Sequence, residues 1–182
     1  MPHLHGFKCA HRIEIPGAAR FLTFSTFRQR PIFNACARGR CFIDSLRRYS
    51  ESGQIELHAW TLMPDHCHLL LTPLEPALSP SLHAFKCEVA RMLRATHPSL
   101  GRVWRPGGGH DRTIYTFGEF HQKVDYIHAN AVRGRLAADR RDWPWHSWHE
   151  RHDEPRPEMP RIHPMSPTRL LEAKDAWNAR RC

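Results

Sequence analysis

The stretch QIELHAWTLMPDHCHLLLTP, residues 54–73, constrains the fold more than any other part of the chain. It holds two apolar runs of strand length, 54–63 and 65–72, with only Pro64 and its neighbours between them. So short a link cannot carry a crossover connection, so the two runs must lie side by side as an antiparallel hairpin.

The flanking patterns fit around that hairpin. ARFLTFSTFRQ, 19–29, alternates Phe21, Thr23 and Ser25 against Leu22, Phe24 and Thr26, a strand pattern rich in β-branched and aromatic residues. PIFNACARGRCFIDSLRRYSESG then turns helical: Phe42, Leu46 and Tyr49 recur at i, i+4 and i+7, and Gly53 stands where a helix would end. After the hairpin, a link marked by Pro73, Pro76 and Pro80 leads to a helix at 79–96 with Leu82, Phe85, Val89 and Leu93 on one face. RVWRPGGGHDRTIYT reads as a glycine-rich loop and a short strand at 112–116. In TFGEFHQKVDYIHANAVRGRL, Thr116 and Glu119 fit a capping box, and Phe120, Val124, Ile127 and Ala131 form one helical stripe.

The order β-α-β-β-α-β-α predicts an α+β fold, a ferredoxin-like or RRM-like antiparallel sheet with helices on one face, plus a C-terminal tail. The expected organisation is an N-terminal extension at 1–18, a domain at 19–149, and a Pro-rich tail at 150–182. The tail carries a short helix at 167–180, with Ser166 as cap and Pro167 at the first position. No apolar run approaches the ~20 residues needed to cross a bilayer, and the start MPHLHGFKCAHR lacks a signal-peptide core, so the expected location is cytoplasmic. The six cysteines form no C-x-x-C and suggest reduced thiols. The formal net charge is +9, mostly arginine, and a basic surface of this size commonly meets a polyanion.

The hairpin also carries chemistry. Residues i and i+2 of a strand share a face, so His66 and His68 project together while Cys67 points away. Two parallel imidazoles can share one metal ion, or stand as two ordinary histidines in a chain that has 15. His3 and His5 repeat the spacing near the N-terminus. On the third helix, Tyr126 and Asn130 are four apart and lie off the Phe120–Ala131 stripe. A helix packed across the sheet would bring the Asn130 amide oxygen to the two histidines and the Tyr126 hydroxyl beside them.

MPDHCHLLL, the VW at 103–104, DYIHANAVRGRL and DWPWHSW, taken in this order, resemble the REP-associated tyrosine transposases, relatives of the IS200-like single-tyrosine transposases with the HUH motif (histidine, hydrophobe, histidine). The likeness runs from about Arg20 to Trp148. It departs from the family pattern at Cys67, at Asn-Ala-Val in place of Asn-Pro-Val, at the Arg-Gly-Arg-Leu that follows, and at Trp-His-Ser-Trp.

The resemblance implies a DNA endonuclease and strand-transferase that acts on single-stranded DNA near hairpins, in DNA transposition and recombination. Tyr126 would be the nucleophile and form a 5′-phosphotyrosine. His66, His68 and Asn130 would bind a divalent metal, Mg²⁺ or Mn²⁺. Relatives include both monomers and homodimers. Candidate DNA contacts are Arg91 and Arg94 on the second helix, Arg102, Arg105 and Arg112 around the glycine loop, and Arg133 and Arg135 beyond the tyrosine, with Trp104 as a platform for an unpaired base. The tail after about residue 150, with Leu170, Leu171 and Trp177, is expected to be an accessory to DNA recognition or to control of the site; the alternative is a helix that simply covers one face of the domain. Two other readings stay open: a hairpin-binding protein that does not cleave, and a metal-dependent hydrolase without a covalent intermediate.

Overall fold

The computed structural model describes residues 15, 17–74, 78–107, 109–153 and 156–179. Most of the 1–18 extension, including His3 and His5, and also Pro76 and the side chain of Trp177 lie outside them. Four strands, β1 (Ala19–Ser25), β2 (Ile55–Leu62), β3 (His66–Pro73) and β4 (His110–Ile114), form one antiparallel sheet in the order β2-β3-β1-β4. The helices are α1 (Cys36–Glu51), α2 (Leu78–Thr96), α3 (Phe117–Arg133), α4 (Trp148–His152) and α5 (Pro167–Ala179). This is the expected α+β sheet, with the 54–73 stretch as its β2–β3 hairpin.

The two helices of the βαβ halves, α1 and α2, cover one face as the pattern predicts. Their stripes (Phe42, Leu46 and Tyr49; Leu82, Phe85, Val89 and Leu93) pack on Leu22, Phe24, Trp60, Cys67, Leu69 and Leu71. Helix α3 takes the opposite face, where Phe120, Val124 and Ile127 meet Phe21, Ala59, Leu70 and Ile114. Strand β2 changes phase between Leu57 and Ala59. This bulge turns both His58 and Ala59 toward α3, and the His58 ring lies 5.3 Å from that of Phe120.

Local chemistry sets the element ends. Gly53 follows α1 in the left-handed region at φ 73°. The Thr116 hydroxyl caps α3 by accepting from Glu119 N at 3.1 Å, while the Glu119 carboxylate accepts from Tyr115 N at 3.4 Å, one residue short of a full capping box. Strand β4 starts two residues before the expected 112. Gly109 explains the shift: at φ 79°, a Cβ there would lie 2.2 Å from the Thr23 carbonyl oxygen, so only glycine lets the chain reach β1 this early. Across the same strand pair, buried Arg20 donates to Asp111 at 2.9 and 2.7 Å and fastens β4 to β1.

The segment after α3 shields the β2 edge. Leu62 N donates to Trp145 O (2.8 Å), Ser147 N to Trp60 O (3.0 Å), and the Trp143 indole to Leu62 O (3.1 Å). The tail follows onto the sheet. His163 N donates to Leu57 O, Arg169 pairs with Glu56, and Met159, Met165, Leu170 and Ala173 are buried; Leu171 is exposed. The tail is thus docked on the sheet, and a role in DNA recognition or in control of the site would be exercised from that docked position.

Candidate active site

The register of the sheet builds the site. Thr23 on β1 is paired with His68 of β3 on one side and with His110 of β4 on the other. His68 is also opposite Thr61 of β2. The row Thr61–His68–Thr23–His110 therefore crosses the sheet on the face that α3 covers, with His66 two residues from His68 on the same side. The His66 and His68 rings are 4.9 Å apart.

Each imidazole is held by its Nδ1. His66 Nδ1 donates to Asp65 Oδ1 at 2.7 Å, and His68 Nδ1 lies 2.7 Å from the Thr23 hydroxyl. That leaves both Nε2 atoms clear of these holding bonds, the usual arrangement of ligand imidazoles held by a second layer of hydrogen bonds. His68 Nε2 is buried and has no hydrogen-bond partner among the described residues. Burial first, then the neighbouring His66, His110 and Lys123, push the His68 pKa down to about 3, so its ring is neutral at physiological pH. A neutral imidazole with an unused buried nitrogen is a competent metal ligand.

Helix α3 brings Tyr126 to this pair. Its ring meets His68 at 5.3 Å and Phe21 at 5.8 Å, both edge to face, while Phe21 stacks on His68 at 5.4 Å. Tyr126 is half-buried, as its place off the helix stripe predicted. Asn130, one turn on, is buried, and among the described residues its amide makes no hydrogen bond to either histidine. Nor do any three His, Cys, Asp or Glu side chains among the described residues form a metal-binding group. A metal set here would be the two imidazoles completed by Asn130 or by substrate oxygens. Such a mixed nitrogen and oxygen set fits Mn²⁺ or Mg²⁺.

Two cations flank the phenol. Lys123 Nζ lies 4.8 Å from the Phe21 ring centre and 5.6 Å from that of Tyr126, and the Arg133 guanidinium lies 5.4 Å from the Tyr126 ring. Neither has a carboxylate partner among the described residues. Arg133 was expected from the sequence; Lys123 was not, although its i−3 spacing from Tyr126 is a usable signal. Thr23, Phe21 and His110 were also missed, because their role appears only once the strand register is known.

The remaining candidates spread over the surface. Arg94, Arg102, Arg105 and Arg135 are exposed. Arg91 is engaged by Glu88 through two contacts of 2.9 Å, and Arg112 pairs with Glu119 at 2.6 Å. The expectation for Trp104 needs correction. Its ring is buried against Phe24, Phe33 and Phe42, with centres 5.3–6.4 Å apart, and its indole N–H donates to Lys86 O at 2.9 Å. A ring enclosed in the core cannot offer a face to a base.

An antiparallel sheet of this order, with two imidazoles and a helix-borne phenol gathered on one face, defines an α+β domain with a histidine–tyrosine site. The family described as "Transposase IS200 like" matches residues 21–129, more than half of the chain, and the protein belongs to that family. Among solved structures, a REP-associated tyrosine transposase bound to a REP hairpin shares the fold, with a TM-score of 0.67 and 18% identity over 88% of this chain and 94% of that one. A transposase-like protein from Deinococcus radiodurans R1 matches at a TM-score of 0.44 and 20% identity, over 72% of this chain and 98% of that one. No curated protein sequence matches the chain. Among the described residues, no helix is long and apolar enough to cross a membrane.

Proposed function

We propose that this transposase-family protein cleaves and rejoins single-stranded DNA near hairpins, with Tyr126 as nucleophile and a 5′-phosphotyrosine as intermediate. The observation that carries this reading is the contact of the Tyr126 and His68 rings at 5.3 Å. The chain has three tyrosines. Tyr49 is buried in the α1–α2 core, where its hydroxyl meets Ser81 at 2.9 Å. Tyr115 packs against Ile15, Ala18 and Ala173. Tyr126 alone stands beside the histidines. The REP hairpin bound by the structural neighbour supports hairpin DNA as the partner.

In the reaction, the Tyr126 oxygen attacks the scissile phosphorus. The new O–P bond forms as the P–O3′ bond breaks, and the phenolic proton ends on the released 3′ hydroxyl. The phosphodiester energy is kept in the phosphotyrosine, so rejoining is the reverse step and needs no nucleotide cofactor. Asp65 and Thr23 fix the His66 and His68 rings, and Lys123 and Arg133 are placed to hold the phosphate oxygens. His66 and His68, with Asn130, would hold a divalent cation, Mn²⁺ or Mg²⁺, which when bound supplies positive charge to polarise the scissile phosphate. The net charge of +9 implies DNA affinity that falls steeply with salt.

The test is incubation with a labelled single-stranded hairpin, with and without Mn²⁺ or Mg²⁺, followed by a denaturing gel. The wild type should give a protein–DNA adduct in the presence of metal. Tyr126→Phe should give none, while changing stability by less than ~1 kcal/mol at this half-buried position. An adduct in the Phe variant would assign the nucleophile elsewhere. Cleavage without adduct would indicate a hydrolase, and binding without cleavage a DNA-binding protein.

A further inference from the structure

A groove of about 450 Å³ lies between α2 and residues 102–107, on the side of the sheet away from Tyr126. Its size falls within the ~300–1,000 Å³ of small-ligand sites. Lys86, Arg94, Arg102 and Arg105 line it together with His83, and none of the described lining residues is acidic. Its floor is apolar, formed by Ala90, Val103 and the edge of Trp104.

Lys86 is the unusual member. Its ammonium lies 5.5 Å from the Phe24 ring centre, and no carboxylate pairs with it among the described residues. Burial pushes its pKa below the ordinary lysine value. A cation kept partly out of water without a counter-charge is poised for an anionic ligand. Its neighbour Glu88 is engaged with Arg91 and Arg48 and does not line the groove.

The groove also connects with the candidate active site. Arg105, Pro106 and Gly107 line both it and a second depression of about 460 Å³, whose other walls include Thr23 and His110. Thr23 holds His68. A strand passing over the 105–107 loop thus runs from the basic groove past Arg105 to the histidine row.

We infer that this groove binds one unpaired nucleotide of the DNA strand, its base on the apolar floor and its phosphate against Lys86, Arg94 and Arg102. The inference rests on the strand-transfer reading for its ligand. It differs from the expected Trp104 platform, because the floor offers apolar contact through several residues and no free ring face. An apolar floor beneath clustered cations suits a nucleotide better than a bare phosphate, which would gain nothing from Ala90 and Val103.

The experiment compares two hairpins, one blunt and one with a single-stranded flank, by fluorescence anisotropy in the Tyr126→Phe background, where the DNA stays intact. The readout is the ratio of the two affinities. The parent protein should prefer the flanked hairpin. Lys86→Met keeps the packed stem and removes the charge, and Arg94→Gln with Arg102→Gln alters exposed positions only. In either variant the ratio should fall about tenfold, the size of one charge-assisted phosphate contact of roughly 1.4 kcal/mol. A parent ratio of one, or a ratio unchanged in both variants, overturns the inference. A failed strand-transfer reading would show instead in the adduct gel and would leave the affinity ratio intact.

Discussion

On the α1–α2 side of the sheet, Phe24, Cys67, Leu69 and Leu71 are sealed among aromatic and aliphatic neighbours, and burial holds the Cys67 thiol well above its ordinary pKa. One residue along the same strands, Thr23, His66 and His68 face α3 with hydroxyl, imidazole and phenol around them. The alternation of a strand divides the work: one set of residues keeps water out, and the other keeps polar atoms in fixed directions. The sealed face gives the reactive face its rigidity. Cys67 between the two histidines shows this at a single step, because its thiol faces the core and lies 3.8 Å from Phe24 O.

The sharpest test of that division uses neighbouring positions. His68→Asn should abolish the metal-dependent adduct, while a polar side chain that keeps much of the ring's volume and can still bond the Thr23 hydroxyl limits the loss of stability. Leu69→Ala should do the reverse, costing roughly 3 kcal/mol through the cavity it leaves yet still forming adduct below its melting temperature. Thermal melts and adduct gels on the two variants check this. If both variants lost stability and activity alike, the faces would not be separable.

Acid should act on the α3 side and its border. Burial lowers the pKa of His58 to about 4, with Glu56, Arg169 and His163 as its charged or titratable neighbours; Nδ1 contacts His163 O at 2.8 Å and Nε2 contacts Thr72 Oγ1 at 2.8 Å. Burial likewise lowers His146 to about 4, beside His149, Arg156, Arg140 and His128. Both are neutral when folded and take up a proton near pH 6.5 when unfolded. Stability is therefore full above about pH 7 and declines as pH falls from 6.5 toward 4, by about 3 kcal/mol for each histidine. Denaturant titrations at pH 8, 6 and 4 measure the decline, and His58→Gln should flatten part of it. A midpoint that does not move with pH would mean that these rings are not buried neutral.

Most of the architecture was legible because strand and helix periods are local. The hairpin, the stripes of α1 to α3 and the Thr116 cap follow from residues a few positions apart. The shared face of His66 and His68 and the place of Tyr126 off the α3 stripe were legible for the same reason, but their joint role came from the family resemblance, because the meeting of α3 with β3 is not a local feature. What was not legible depends on pairing between distant segments. Thr23 and His110 join the site only through the registers of β1 with β3 and β4. Trp104 looked like a free aromatic in a basic loop, but its bridge to Thr26 turns the ring into the core. The tail looked separable because it is Pro-rich, and no local pattern shows that Met159, Met165 and Leu170 dock on both faces of the sheet.

Gly109 is where a change in the backbone should reach the chemistry. Alanine there would drive a methyl group into the Thr23 carbonyl and strain a left-handed residue, for a cost of roughly 2 kcal/mol. β4 would then move off β1 at the position that orients His68. Adduct formation should fall more than tenfold, and amide exchange should quicken in 109–113 ahead of β2 and β3. Exchange that quickens evenly along all four strands would instead make Gly109 a global stability residue.

The smallest expected effect, at Lys123, bears most directly on how the reactive face works. Lys123 reaches over Phe21 and Tyr126, both of which border His68, and no carboxylate among the described residues neutralises it. A structural lysine in that position would gain only a cation–ring contact, worth about 0.5–1 kcal/mol at a partly exposed site. A lysine that holds the scissile phosphate would favour the transition state, where charge on the phosphate oxygens grows. Lys123→Gln keeps the stem and removes the charge. The rate of adduct formation at saturating DNA should fall about tenfold, equivalent to ~1.4 kcal/mol, with hairpin affinity nearly unchanged because one of many phosphate contacts is lost. Lys123→Arg should recover much of the rate. If affinity falls while the saturated rate holds, Lys123 serves ground-state binding, and of the two cationic side chains flanking the phenol only Arg133 is left to stabilise the phosphate.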